Sequence, residues 1–516
     1  MNKMDARRKQ ILSLIYTVGM IVFCFLIDKI GEKAGGYLMV LSLVLICFFL
    51  PFFAFLPVAI EKPLRARISK GQIKNANGLW NVVFTYSIFS ALILSLSMAF
   101  IMPIFSERIL GLSNVTFCLP YLALGFFFLG ISRALCMYFQ GKGSGLQTVI
   151  ASALIICFSI LFSFVVGNPL LEYGQKVATL MGNDEFKEQY LMVGISIGIG
   201  IASVITFIFL LFAYFLSARE NRRKQHVMRL TEHKGDSIRI FVSCFFPYWF
   251  ATILMLVPLL LGFVMFFEKQ DDKILALITL GRLTQSQYLP GAIVLLFTLS
   301  FVVLIVAQIV TWMKKEEIRQ AREGFKLGLV WTLIVASFAA ICFVIFGSYK
   351  IGLIYFVATF AYFFSTLLWQ SGKRKSVLIS MFASMVGALT SSFLLSGILK
   401  EADLLIFVPV LTQMTILTLT TCFFLIKHYR FLPDLMHGLL FPIFSSFVSG
   451  VIMYVICLVL QEISEMLIVK ILVGVIGFFV HLMLCMVLQC GNDNDIMNLP
   501  GGKLWIFIGN HLHLFH

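Results

Sequence analysis

The sequence predicts an all-α integral membrane protein with 14 transmembrane helices, arranged as two six-helix lobes followed by a C-terminal helix pair. Two observations carry this. Fourteen apolar windows, each about twenty residues or more, fill the chain from Ile11 to Gln489, and a helix needs about 20 residues to cross a hydrocarbon core roughly 30 Å thick. The composition agrees: 60% of the 516 residues are hydrophobic and 13% are charged, against roughly 25% charged in a soluble domain, and mean hydropathy is +0.97.

Taken in order, the windows are 11–30, 36–60, 79–103, 117–139, 146–167, 190–216, 238–267, 289–312, 326–346, 350–369, 376–398, 404–426, 438–460 and 466–489. The one long polar connection between them is Ser217–Ser237. It divides the chain into an N-lobe (1–216), a linker (217–237), a C-lobe (238–426), an accessory pair (427–489) and a tail (490–516). A weak repeat supports the division. Val58-Ala59, a basic turn and Gly78-Leu79-Trp80 close span two, and Val306-Ala307, a basic turn and Gly328-Leu329-Val330-Trp331 close span eight. Gln140-Gly141-Lys142 ends span four, and Gln370-Ser371-Gly372-Lys373 ends span ten. Parallel repeats of this kind relate two halves about an axis along the membrane normal.

The formal charge of +15 reads as membrane topology rather than as a nucleic-acid footprint. With both termini cytoplasmic, 29 of the 40 Lys and Arg fall on the inner side, as the positive-inside rule requires. Trp80, Trp312, Trp331 and Trp369 lie near the same ends, where interface aromatics belong. The linker's basic run also suits contact with anionic lipid. No cleavable signal is expected, because Asp28-Lys29-Ile30-Gly31-Glu32-Lys33 follows the first apolar run.

Neither a metal site nor a cofactor is expected. Most of the eleven cysteines fall inside apolar windows without a C-x-x-C pair, as small buried hydrophobes do. Signatures of enzymes such as H-E-x-x-H, a P-loop or G-x-S-x-G are absent. Asp271-Asp272 reads as a solvated turn. Ionisable residues at mid-membrane are functional by default, yet no Asp or Glu sits centrally in any span. His481 reads as a hydrogen-bonded packing residue. Tyr248, Gln308 and Gln413 are uncharged polar residues within spans; helix-to-helix hydrogen bonding is their ordinary use, and lining a transport path is the alternative. Pro51, Pro57, Pro247 and Pro258 are hinge candidates, because proline removes a backbone bond and bends a helix.

The stretch Tyr121–Phe164 resembles the fourth and fifth helices of the Wzx-like polysaccharide transporters of the multidrug/oligosaccharidyl-lipid/polysaccharide (MOP) superfamily. The resemblance rests on Tyr138-Phe139-Gln140-Gly141, and on Leu56-Pro57-Val58-Ala59-Ile60 followed by a basic turn to Asn75-Ala76. Span count and layout agree over nearly the whole chain. Where many relatives have Arg four residues before the Gln, this chain has Cys136, with Arg133 nearby. Spans one, two and eight lack the arginines of the superfamily's lipid II flippases.

The resemblance implies a bacterial inner-membrane flippase, not an enzyme, that moves an undecaprenyl-diphosphate-linked oligosaccharide outward by alternating access. Its implied partners are that substrate, membrane lipids, and a polysaccharide polymerase and glycosyltransferases, with no nucleic acid. Arg133, Gln140, Lys142, Tyr248 and Gln308 are the candidate substrate-binding residues, since a diphosphate needs cations and arginine grips it bidentately; the competing role for Arg133 is an interface anchor. The alternatives are a MATE-type drug exporter of the same fold and a membrane enzyme of polysaccharide assembly. The topology is tested by labelling single cysteines at Asn183 and Arg223. Asn183 is expected to react from outside and Arg223 from inside, and reaction of both from one side contradicts the assignment.

Overall fold

A chain in lipid must satisfy its backbone hydrogen bonds within each segment, and helices do this. The computed structural model describes residues 11, 14–15, 17–19, 32–108, 111–224, 233–396, 403–431, 436–460, 467–488 and 490. No strand occurs among the described residues. Twelve helical segments there are long and apolar enough to cross a membrane, and Leu472–Val487 is a shorter apolar helix. The protein is an all-helical, multi-pass membrane protein. Most of the predicted span 11–30, the centre of the linker and nearly all of the tail lie outside the described residues.

The chain forms two compact units. One comprises Leu14–Gln285 with Ser392–Ile406; the other comprises Met1–Ser13, Ser286–Ser391 and Phe407–His516. In the first unit, α1 (Glu32–Phe49) runs into a π-helical turn (Leu50–Ala54), and α2 (Leu56–Ser69) follows. Pro51 lies in the turn and Pro57 at the start of α2. Neither can donate a backbone bond, so the helix breaks at the pair. Phe55 joins the pieces at φ −91°, ψ −1°. The helix then continues to Ser69, so most of the connection expected at 61–78 is helical and Glu61 lies inside α2.

Next come α3 (Ile73–Arg108), α4 (Leu119–Lys142), α5 (Leu146–Met181), α6 (Glu185–Lys224), α7 (Lys234–Lys269) and α8 (Lys273–Leu283). Helix α4 is the packed centre: 72% of its most apolar stretch is buried, against 11% for α3 and α5. Glycines seat it. A Cβ at Gly125 would lie 2.8 Å from the Cα of Gly200 on α6, and one at Gly130 would lie 2.9 Å from the ring of Phe53 in the π-helical turn. Gly194 and Gly198 bring α6 equally close to the α5 backbone at Gly167 and Ser163. Helices in lipid gain little from the hydrophobic effect when they associate, so small residues that let backbones approach decide the contacts.

Two connections differ from the sequence expectation. The outer segment 168–189 is helical except around Gly182–Asp184, and 268–288 contains α8. Asp272, expected in a solvated turn, caps α8: its carboxylate accepts from the amides of Ile274 (2.9 Å) and Leu275 (3.3 Å), as helix N-caps do. Helix α7, expected to open a second lobe, packs on α2, α3 and the π-helical turn. The reason is aromatic. Tyr86 of α3 meets Phe241 and Phe245 at ring distances of 4.9 and 5.5 Å, and Phe52 meets Trp249 at 6.3 Å. The helix runs on through Pro247 and Pro258.

The second unit contains α9 (Leu289–Lys314), α10 (Ile318–Phe346), α11 (Tyr349–Gln370), most of α12 (Arg374–Ser396) and α13 (Leu404–Tyr429), then α14 (Phe441–Val459) and α15 (Leu467–Val487). Phe325, Phe363, Leu333 and Leu367 centre its core. The C-terminal pair packs on α10 through buried polar contacts. His481 Nδ1 meets Ser445 Oγ at 2.9 Å, and Nε2 lies 3.1 Å from the carbonyl oxygen of Ile334. His481 is thus the hydrogen-bonded packing residue that the sequence suggested.

The weak sequence repeat has a geometric counterpart. At each of its four turns, one residue takes positive φ after the helix: Gly71 (71°), Gly143 (83°), Glu316 (63°) and Gly372 (93°). Each shows the same pair of closing bonds. The Gly143 amide donates to Gln140 and the Ser144 amide to Phe139; the Gly372 amide donates to Trp369 and the Lys373 amide to Leu368. Gly71–Gln72 and Glu316–Glu317 repeat the pattern. These are Schellman caps, which favour glycine. Glu316 carries the left-handed strain, worth about 1 kcal/mol. Glu316→Gly is therefore expected to raise the midpoint of SDS-induced unfolding and Glu316→Val to lower it; equal midpoints for the three proteins would contradict the cap.

Candidate functional site

The candidate residues of the first unit gather at two places along α4. The first is the break in the α1–α2 helix. Arg133 sits nine residues before Lys142, about 13 Å along the helix axis. Its guanidinium reaches inward to the break. Nη2 donates to the carbonyl of Ala54 at 3.0 Å, the guanidinium lies 5.9 Å from the Phe49 ring centre, and Nε is buried without a partner. Tyr248 of α7 stacks on Phe55 at 5.7 Å with the rings 22° apart. The structure thus brings Arg133 and Tyr248 together with Pro51 and Pro57 at residues 54–55. The arginine thereby ties α4 to the break between the π-helical turn and α2.

The second place is the basic end of the unit, at the turn 143–145. Here Gly141 lets α4 approach α2; a Cβ would collide with the side chain of Leu64. Arg65 of α2 ties the two helices. Its Nη2 lies 3.0 Å from Glu61 Oε1 and donates to the Gln140 carbonyl at 3.2 Å. Gln140 is therefore engaged through its backbone, which also closes the Gly143 cap. Lys142 turns toward α6, where Nζ donates to Ser217 Oγ at 2.6 Å and to the Ser217 carbonyl at 3.3 Å. It also lies 5.4 Å from the Tyr138 ring centre.

Behind Lys142 stands an aromatic triad. Tyr138 meets Trp80 at 5.0 Å and Tyr214 at 4.9 Å, and Trp80 Nε1 donates to the Tyr214 hydroxyl at 3.0 Å. In front of it opens a cleft of about 640 Å³ between α2, α3, α4, α5 and α6. Its lining is mixed: Leu64, Ile68, Ile73 and Leu216 are apolar, and Asn77, Lys142, Ser144, Gln147 and Ser217 are polar. This volume lies in the range of small-molecule sites.

Arg133 is not among the residues lining the cleft, so the structure separates it from Lys142. Gln308 belongs to the other unit, on α9, where it is exposed. Gln413 is buried in α13. Sequence reasoning missed Arg65, Gln147, Ser217 and the pairing of Trp80 with Tyr214. Arg65 lies in a basic run whose sequence reads as a loop, and the position of Trp80 in the sequence reads as an interface anchor. Among the described residues no cluster of three or more His, Cys, Asp or Glu could hold a metal.

No protein-family model matches the chain, and no curated protein matches it. Solved structures do. The eukaryotic MATE transporter AtDTX14 matches with TM-score 0.57 at 12% identity, covering 82% of this chain and 96% of that one. A multidrug-resistance MATE family transporter of the MOP superfamily, in its inward-facing conformation, gives 0.56 at 12% identity over 82% and 94%. A MOP superfamily transporter from Pyrococcus furiosus gives 0.54 at 10% identity over 82% and 94%. The chain has a MATE-like fold of the MOP type. At these identities the likeness concerns the fold.

The Arg133 brace is open to measurement. A hydrogen bond to a charged group contributes roughly 1.5–3 kcal/mol, so Arg133→Ala is expected to lower the SDS-unfolding midpoint clearly. Arg133→Lys, which keeps the charge but shortens the reach, should lose part of that. A wild-type midpoint for Arg133→Ala would show that the contact with Ala54 contributes nothing.

Proposed function

We propose that this protein exports a lipid-linked oligosaccharide, moving an undecaprenyl-diphosphate-linked unit from the inner to the outer leaflet of a bacterial inner membrane by alternating access. Its termini would then be cytoplasmic, and the basic end of the first unit would face the leaflet where such lipids are made. The carrying observation is the conjunction at that end: Tyr138 of the Tyr138-Phe139-Gln140-Gly141 segment lines a cleft together with Lys142, and the carbonyls of Phe139 and Gln140 close the adjoining Gly143 cap. A phosphate-bearing amphiphile matches such a cleft. A head group would meet the polar lining residues, and hydrocarbon the apolar ones.

The second reading, export of cationic drugs, is favoured by the likeness to multidrug-resistance transporters. Against it stands the distribution of carboxylates. Coupling through a carboxylate needs that group at membrane depth. The sequence places none centrally in a span, and Glu61 is paired with Arg65 at 3.0 Å.

Two strains separate the readings. In a host whose own flippase is deleted, expression of this protein is expected to restore surface polysaccharide; in a drug-sensitive host, it is expected to leave resistance to cationic dyes unchanged. Gradient-dependent dye resistance without polysaccharide rescue would reverse the assignment in favour of the drug exporter.

A further inference from the structure

We propose that Cys485 and Cys490, at the end of α15, form a dithiol that a hydroperoxide oxidises to a disulfide. The inference is independent of the export reading, because it concerns the C-terminal end of the second unit and is measured as thiol chemistry.

The spacing in the sequence hides the pair. Along a continuous helix, residues five apart lie about 140° from each other around the axis, so C-x4-C does not by itself bring two thiols together. Here α15 ends at Val487, and the chain turns back. The Cys490 amide donates to the Cys485 carbonyl at 3.0 Å, a bond of the kind that closes helix ends. Both side chains join one buried cluster with Val330, Ile334 and Leu482, and the two thiols hydrogen-bond each other. A disulfide needs its two sulfurs brought face to face.

A second set of contacts makes Cys485 the reactive member. Its thiol donates to Ser445 Oγ of α14 at 3.4 Å, and Ser445 Oγ lies 2.9 Å from His481 Nδ1. His481 Nε2 lies 3.1 Å from the carbonyl oxygen of Ile334. A carbonyl only accepts, so Nε2 carries the ring proton and Nδ1 is the basic nitrogen. Cys485 Sγ itself is 4.0 Å from Nδ1. The serine hydroxyl also reaches the His481 carbonyl at 2.8 Å, which gives its proton a resting place when the relay is idle. Thiol, hydroxyl and imidazole thus form a chain that moves the Cys485 proton to His481, and the thiolate left behind is the nucleophile.

Burial selects the oxidant. Cys485 is 6% exposed and Cys490 4%, which suits hydrogen peroxide and excludes a bulky disulfide. The Cys485 thiolate attacks the peroxide: an S–O bond forms, the O–O bond breaks, and the departing hydroxide takes the proton from His481 and leaves as water. Cys485 is then a sulfenic acid. The Cys490 thiol attacks Cys485 Sγ; the S–S bond forms, the S–O bond breaks, and the thiol proton leaves with the hydroxide as a second water. Both electrons removed from the two sulfurs reside in the reduced peroxide oxygens.

The test treats the full-length protein in detergent with hydrogen peroxide and alkylates its thiols before and after dithiothreitol. Trypsin releases residues 471–503, whose only cysteines are Cys485 and Cys490, so one peptide reports the pair. Both thiols are expected to become protected and to be regained with dithiothreitol, while Cys342, half-buried in α10, stays open to alkylation. Cys490→Ser should form no disulfide and should leave a sulfenic acid on Cys485 that dimedone traps. Ser445→Ala and His481→Gln should each slow closure at least tenfold. Folding is checked by unfolding midpoint; if His481→Gln does not fold, Ser445→Ala carries the comparison. The proposal is overturned if both thiols stay free after peroxide, if Cys490→Ser gives no dimedone adduct at Cys485, or if every folded variant at Ser445 and His481 closes at the wild-type rate.

Discussion

Close approach of helix backbones at glycine is the constraint on which the first unit depends. Water drives apolar faces together in soluble proteins, but lipid tails are as apolar as leucine, and helices in a bilayer associate through packing and polar contacts. Helix α4 is placed by one such approach, Gly125 to Gly200, and by two side chains seated on its glycines, Phe53 on Gly130 and Leu64 on Gly141. Each sets α4 against a different neighbour. Together they fix its rotation, and with it the directions of Arg133, Tyr138 and Lys142. A side chain larger than hydrogen at any of the three moves the polar groups that the rest of the site uses.

The same helix supports two different devices. Near its middle, Arg133 supplies a donor to a carbonyl in a stretch interrupted by Pro51 and Pro57, and Tyr248 covers the adjoining Phe55. A helix break inside a bundle is tolerated where neighbours complete its hydrogen bonding. At its basic end, the Gly143 cap turns the chain sharply enough to bring Gln147 of α5 beside Lys142 of α4. The break is braced and the cleft is lined by residues from helices distant in sequence. The unit thus has a braced helix break at one place along α4 and an open cleft at another.

The four Schellman caps connect local and global organisation. Gly71, Gly143 and Gly372 occupy the left-handed position with the residue that suits it, and Glu316 occupies it without that advantage. The sequence showed these turns only as short basic matches, weak one at a time. Their backbone geometry is shared because each must end a membrane helix and reverse direction within a few residues. Two pairs of turns, in corresponding order along the chain, thus share one backbone shape with different side chains.

The amino-acid sequence alone determined the class of fold, the number of apolar spans to within the described ones, the basic ends of the helices and the packing role of His481. These are legible because span length, hydropathy and charge asymmetry are properties of contiguous residues, read against a bilayer of known thickness. The tertiary structure decided the rest. It bonded Arg133 to the Ala54 carbonyl, placed Gln308 on an exposed face, made Asp272 a helix cap and set α7 against α2 and α3. It also paired Lys142 with Ser217 across 75 residues of chain. Which polar groups meet depends on how far each helix is rotated and how closely its glycines let it approach a neighbour, and no contiguous stretch of sequence encodes that.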